Sequence, residues 1–274
     1  MKTNNLFSAT FRVALTFAFA LLIFTACQEE SINEPAIDEV AADIVVGLTA
    51  EEAKTLGLTP EEAKEYSYTE ADLAELTGQE DADGRWFRNV IVQTSPLQEL
   101  TNGGLGLGDT IGFSKIVRMP RGVLSLVFST DQEIGTATTL WVAVYNTPEA
   151  CADGLCTTPE AFNPATGADV KTGTGKVIKG PVTVYTTFTE ANDTEGSLGP
   201  ILLGQPARGI TNPLTCQMRL IVKTHGPVIP ELLNDQLTTF QGGCKFGFLP
   251  QVPELGTPGP NTCAEIQISF FMQP

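Results

Sequence analysis

From Trp86 to Met272 the chain is cut into short segments in which apolar and polar residues alternate, and this period of two constrains the fold most. Candidate strands cover 86–94, 110–119, 122–129, 137–145, 182–188, 214–225 and 264–272. They are rich in Val, Ile, Thr and Phe and are bounded by Gly, Pro, Asn and Asp clusters. In 264–272, Ala264, Ile266, Ile268, Phe270 and Met272 alternate with Glu265, Gln267 and Ser269; Val182, Val184 and Phe188 alternate with Thr183, Tyr185 and Thr187. One apolar and one wet face is the pattern of antiparallel sheets, so the expected fold is all-β, an antiparallel β-sandwich with long loops. The expected long loops are 146–176 and 189–213.

Strand 214–225 organises the rest. Cys216, Met218, Leu220 and Val222 form its core face; Gln217, Arg219, Ile221, Lys223 and His225 form a face expected to be mostly wet. Gly226-Pro227 turns the chain, and 230–240 reads as a short helix stopped by Gly242-Gly243.

A short helical segment is expected before the β domain. LTAEEAKTLG (48–57), LTPEEAKEYS (58–67) and YTEADLAELT (68–77) repeat with a period of ten. Each opens with a threonine followed three residues later by an acid: Thr49/Glu52, Thr59/Glu62 and Thr69/Asp72. That spacing predicts a capping box, in which hydroxyl and carboxylate satisfy free N–H groups at a helix start. Pro60 suits a first helical position. The segment reads as a spacer lifting the domain off a membrane, a cap on the β domain, or a partner-binding element. The expected organisation is thus 1–26, a signal peptide; 27–47, an acidic tether containing Pro35; 48–78, the helical segment; and 84–274, the β domain.

The N-terminus speaks to location. Lys2 and Arg12 precede an apolar run from 13 to 24, too short to span a bilayer comfortably, and the flanks are those of a secretory signal. The ending Phe24-Thr25-Ala26-Cys27 resembles a bacterial lipobox, which implies cleavage before Cys27 and lipidation of its thiol. Each buried methylene contributes about 0.8 kcal/mol, so several acyl chains hold a domain firmly. The expected location is the bacterial cell envelope as an outer-membrane lipoprotein, with Glu29-Glu30 resembling the export tag of surface-exposed lipoproteins.

Acids outnumber bases 32 to 16. A surface of that sign repels phosphate backbones, which excludes nucleic acid as the expected partner. Exported chains form disulfides, and Cys151–Cys156 and Cys244–Cys263 are the candidate pairs, with Cys216 a buried free thiol.

Chemistry is thinly marked. His225 is the single histidine. A zinc site needs three or four ligands, and a serine triad needs a nucleophile elbow that no Gly-x-Ser-x-Gly supplies. His225 is therefore expected to stabilise a turn, with metal binding or catalysis as weaker roles; no metal, cofactor or catalytic set is implied. The Gly-dense run 103–108 lacks a phosphate-loop ending and reads as a loop, and 79–84 reads as an acidic turn.

Asn212-Pro213 with strand 214–225, Trp141-Val142-Ala143-Val144-Tyr145-Asn146 running on to Cys151, and Gly242-Gly243-Cys244 resemble secreted bacterial β proteins and the CHRD domain. Strands of that kind carry two histidines six residues apart. Here Arg219 stands at the first position and His225 at the second, so the resemblance implies no paired-histidine metal site and no activity. The expected function is a non-catalytic binding or structural β module anchored by lipid, contacting an envelope or extracellular protein in preference to glycan. The alternative is an envelope hydrolase using His225 or a carboxylate pair, which requires both long loops to converge on His225.

Overall fold

The computed structural model describes residues 44–76, 90–101, 106–157, 159–195, 197, 207–238 and 263–274. All belong to one compact unit, Asp43–Pro274. The signal segment with Cys27, the tether up to residue 43, the acidic turn 79–84, Trp86 and Cys244 lie outside the described residues.

Eight strands form one antiparallel sheet: β3 (Ile91–Thr101), β4 (Gly106–Met119), β5 (Gly122–Thr130), β6 (Thr136–Tyr145), β7 (Ala168–Val177), β8 (Val182–Glu190), β9 (Gln217–Pro227) and β10 (Ala264–Phe271). Their order is β7-β6-β9-β10-β3-β4-β5-β8. The two outermost strands, β7 and β8, are nevertheless joined by residues 178–181 alone. Thr174 Oγ1 donates across the gap to Thr186 O at 2.7 Å. A flat sheet cannot bring its outermost strands together, so the sheet is curled until its edges meet. The chain is all-β and antiparallel as expected, its eight strands lying in this single curled sheet.

Curling gives the sheet an inside and an outside. Inside lie Leu140, Val142 and Val144 of β6, Met218, Leu220 and Val222 of β9, and Leu97, Ile116, Val127 and Phe271. The polar faces of two strands also turn inward. On β10, Gln267 Oε1 accepts from Ser129 Oγ at 2.5 Å, its Nε2 donates to Thr130 O at 3.0 Å, and Ser269 Oγ donates to Ser114 Oγ at 2.9 Å. On β8, Tyr185 joins the inner core and bonds Thr138 Oγ1 at 2.6 Å. The expectation of one wet face therefore fails: the apolar faces, Val182, Val184 and Phe188 on β8 and Ile268 and Phe270 on β10, point outward into covered layers.

One cover is the N-terminal segment: β1 (Ile44–Val46), α1 (Ala50–Thr55), α2 (Pro60–Lys64), β2 (Tyr68–Thr69) and α3 (Glu70–Leu76). Val46, Leu56 and Leu73 pack on Val117, Leu124, Leu126 and Phe128, so the segment caps the sheet. All three expected capping pairs make both reciprocal bonds, those of α1 and α2 with Pro60 in the first turn of α2, and Thr69/Asp72 at the start of α3. Asp72 Oδ2 accepts from Thr69 N at 2.7 Å in the third repeat. Lys115 of β4 fastens the cap, donating to Glu52 Oε2 and Gly47 O, each at 2.7 Å.

Strand β7 falls inside a stretch expected to be loop. Its sequence, ADVKTGTGKV, lacks an apolar run, and its glycines are required by close approach. A Cβ on Gly173 would stand 2.8 Å from Leu140 O, and one on Gly175 2.2 Å from Leu237 O in α4 (Leu233–Thr238). Likewise Gly106, in the Gly-dense run, begins β4. The helix expected at 230–240 begins as a 3-10 turn, Pro230–Leu232, continued by α4; residues 239 and 240 lie outside the described set.

Candidate functional site

The outer face of β6, β9 and β10 holds the groups singled out for chemistry. The alternate face of β9, expected to be mostly wet, is buried throughout, with Lys223 at 0% and His225 at 1% exposure. A buried charge is tolerable only with compensation, and here aromatic rings from neighbouring strands supply much of it. Lys223 Nζ lies 3.8 Å from the Trp141 ring centroid and 3.0 Å from Glu265 Oε1. The Arg219 guanidinium lies between Tyr145 and Phe270, 5.3 and 5.2 Å from their centroids. Arg219 Nε has no hydrogen-bond acceptor among the described residues, and the two rings flank the guanidinium. Burial pushes the Lys223 ammonium below its ordinary value while Glu265 draws it back. Burial likewise lowers Arg219, opposed by Tyr145, Glu160 and Glu265.

His225 belongs to this layer. Its Nε2 is 3.0 Å from Thr139 Oγ1, which also accepts from Trp141 Nε1 at 3.0 Å. The ring is thus a buried member of a Thr–Trp–His cluster rather than a side chain at an open turn. The register sets it far from the long loops. Gln217 pairs with Tyr145 at one end of the β6–β9 ladder, and Thr224 pairs with Thr138 near the other. Eight residues of strand, about 26 Å, separate Gln217 from His225.

Residues 146–169 of the first expected loop and the described part of 189–213 gather at the Tyr145 end, whereas 170–176 run along β6 as part of β7 and pair Gly175 with Thr139 at the other end. Gln217 Oε1 accepts from Cys156 N at 3.0 Å, and its Nε2 donates to Cys156 O at 3.1 Å. Tyr145 Oη donates to Thr157 O at 3.0 Å. Asn146 donates to Gly167 O and Gly209 O, each at 2.9 Å, and accepts from Thr211 N at 2.7 Å. Asp169 accepts from Arg208 N at 2.6 Å and Gly209 N at 2.7 Å, and Lys171 pairs with Asp193 at 2.6 Å. These contacts staple the two loops to each other and to the sheet, leaving His225 at the opposite end.

The cysteines sort as follows. Cys151 and Cys156 form a disulfide, closing the small loop that holds the 3-10 turn Ala152–Gly154 and bonds Gln217. Cys263 is disulfide-bonded, and Cys244, its expected partner, lies outside the described residues. Cys216 is the buried free thiol expected. Its neighbour Arg118 was not foreseen. Fully buried on the inner face of β4, Arg118 donates to Gln93 Oε1 at 2.7 Å, Pro213 O at 2.9 Å, Met272 O at 3.3 Å and Cys216 Sγ at 3.4 Å. Burial lowers the guanidinium and raises the thiol. Only the unpaired arginine within an otherwise alternating strand could have signalled it.

Among the described residues no three His, Cys, Asp or Glu gather as a metal site, and no helix is long and apolar enough to cross a membrane. No protein-family model, curated protein or solved structure significantly matches the chain.

Proposed function

We propose that the protein is a lipid-anchored lipoprotein of the bacterial cell envelope, acting as a non-catalytic binding module for a partner protein. The observation that carries the anchor is the apolar run closed by Phe24-Thr25-Ala26-Cys27. Acyl chains on Cys27 would hold the folded unit at the outer membrane through the acidic tether 27–47.

The non-catalytic reading draws on the placement of His225. A general base must come within hydrogen-bond reach of its substrate. His225 is buried against Thr139 and Trp141, a strand's length from residues 146–169 and the described part of 189–213, and the rest of the first expected loop beside it is sheet, not cleft. A hydrolase centred on it lacks the convergence it requires. Protein contact is preferred over glycan because Trp141, the described tryptophan, is spent beneath Lys223 and is not displayed as a sugar platform.

The experiment is acylation and fractionation of the wild type beside Cys27→Ala. Labelled palmitate should enter the wild type and sediment with membranes, whereas the variant should take no label. Protease added to intact cells then distinguishes the outer from the inner leaflet. An unlabelled, soluble wild type would overturn the anchor.

A further inference from the structure

The ten-residue repeat makes a groove. Between α1 and α2 lies an open depression of about 560 Å³. Its walls come from equivalent positions of the first two repeats: Leu48 and Leu58, Ala53 and Ala63, Lys54 and Lys64. Duplication has thus built one surface from two copies of the same face.

Charge is sorted across that face. The chain carries a net charge of −16, and the two helical units hold Glu51, Glu52, Glu61, Glu62 and Glu65. None of these acids lines the groove, whereas both lysines do. Helical spacing turns positions 50, 53, 54 and 57 toward the groove and leaves Glu51 and Glu61, three residues before each lysine, at its edge. Two of the acids are also committed elsewhere, Glu52 to Lys115 and Thr49, and Glu62 to Thr59. The position four residues before each lysine, where an acid would pair best, holds Ala50 in one copy and Pro60 in the other. No salt-bridge partner stands beside Lys54 or Lys64 among the described residues. Two exposed ammonium groups therefore flank an apolar floor on an otherwise acidic segment.

We propose that this groove docks an extended, acidic segment of a partner protein, its carboxylates on Lys54 and Lys64 and its apolar side chains on the alanine and leucine floor. Charge complementarity selects the sign of the partner. Shape selects its class. A flat anionic bilayer laid across the groove would also face the exposed Glu51 and Glu61 at its edge, whereas a single extended strand can lie along the groove, whose lining holds no acid. No aromatic residue lines the groove to stack on a sugar. The site is held ready before binding: both helices are capped, and Leu56 and Lys115 tie the segment to the sheet. The proposal rests on the binding-module reading and names the surface that would do the binding.

The test uses the purified full chain and a fluorescein-labelled peptide of alternating glutamate and leucine, followed by anisotropy. Saturable binding that weakens as salt rises is expected, and none to the counterpart with lysine in place of glutamate. The double variant Lys54→Gln, Lys64→Gln should bind about tenfold more weakly, as the loss of two exposed ion pairs predicts. Both lysines are exposed, so the variant should melt with the wild type. Equal affinity in the variant would overturn the groove, as would absence of peptide binding by the wild type. Lysine-dependent binding to phosphatidylglycerol vesicles without binding to the peptide would overturn it in favour of a lipid. Failure of the anchor reads out separately, in the fractionation of Cys27→Ala.

Discussion

The helical cap and the outer face of β9 both set ionised side chains beside an apolar layer, and they do so over opposite distances along the chain. In the cap, Glu52, Glu62 and Asp72 each bond the threonine three residues earlier, inside a single turn. On β9, Arg219 and Lys223 rest on rings supplied by β6 and β10, which the sheet alone brings together. The first arrangement is complete as soon as the local backbone forms. The second exists only after the sheet has curled, so it reports on the whole fold. Substitutions should separate the two.

The largest effect is expected at Trp141. Replacing it with alanine removes a buried ring, the cation–π support of Lys223 and the bond to Thr139, leaving the ammonium buried with less to compensate it. A loss of about 3–5 kcal/mol in denaturant unfolding is expected, the range for deleting a large aromatic from a core. Because the ring belongs to a layer spanning three strands, the whole sheet should unfold at lower denaturant.

The cap should respond more gently and more locally. Thr59→Ala removes the hydroxyl that accepts from Glu62 N at 3.2 Å, with an expected cost of about 1 kcal/mol. Thr49→Ala opens the equivalent bond, yet Glu52 remains tied to Lys115 of β4. Amide exchange should therefore show α2 loosening in the first variant further than α1 loosens in the second. Equal loosening would mean that the Lys115 bridge adds nothing to the cap.

The same contrast explains what could be read in advance. Capping boxes, the Cys151–Cys156 loop and the core face of β9 depend on neighbours in sequence or on strict alternation, and all were legible. The burial of Arg219, Lys223 and His225 was not, because alternation says which residues share a face but not whether that face is later covered. Strand β7 hid for a related reason. Gly173 and Gly175 look like loop residues, and only the proximity of Leu140 and Leu237 shows why a side chain is forbidden there. On β8 and β10 the pattern pointed the wrong way. Their apolar faces serve the outer layers, and the inner core takes Tyr185, Gln267 and Ser269 because each finds a hydrogen-bond partner on a facing strand. The candidate site carried still less signal, since the charge sorting of the groove appears only when the two repeats are folded side by side.

The subtlest separation is by acid. For Glu52, burial acts to raise the carboxyl, but the bonds from Lys115 and Thr49 outweigh it and hold the group below the usual carboxylate range. Glu62 and Asp72 are lowered mainly by the backbone N–H of Thr59 and Thr69. A folded-state pKa below the unfolded one contributes stability that is fully present above the unfolded value and is lost as pH falls through the folded value. The window therefore opens below the ordinary values, 4.5 for the two glutamates and 3.8 for Asp72, and extends down through the depressed ones. Through it the helix-start bonds break, and the tie from Lys115 weakens as Glu52 is protonated. Protection factors of the Ala53 and Ala63 amides, which donate to Thr49 O and Thr59 O at 2.9 Å, should fall first, while those of Leu220 and Val222 in β9 hold. Simultaneous loss of protection in cap and sheet would show that the two regions unfold as one cooperative unit, and the contrast between local and sheet-wide charge compensation would have no energetic meaning.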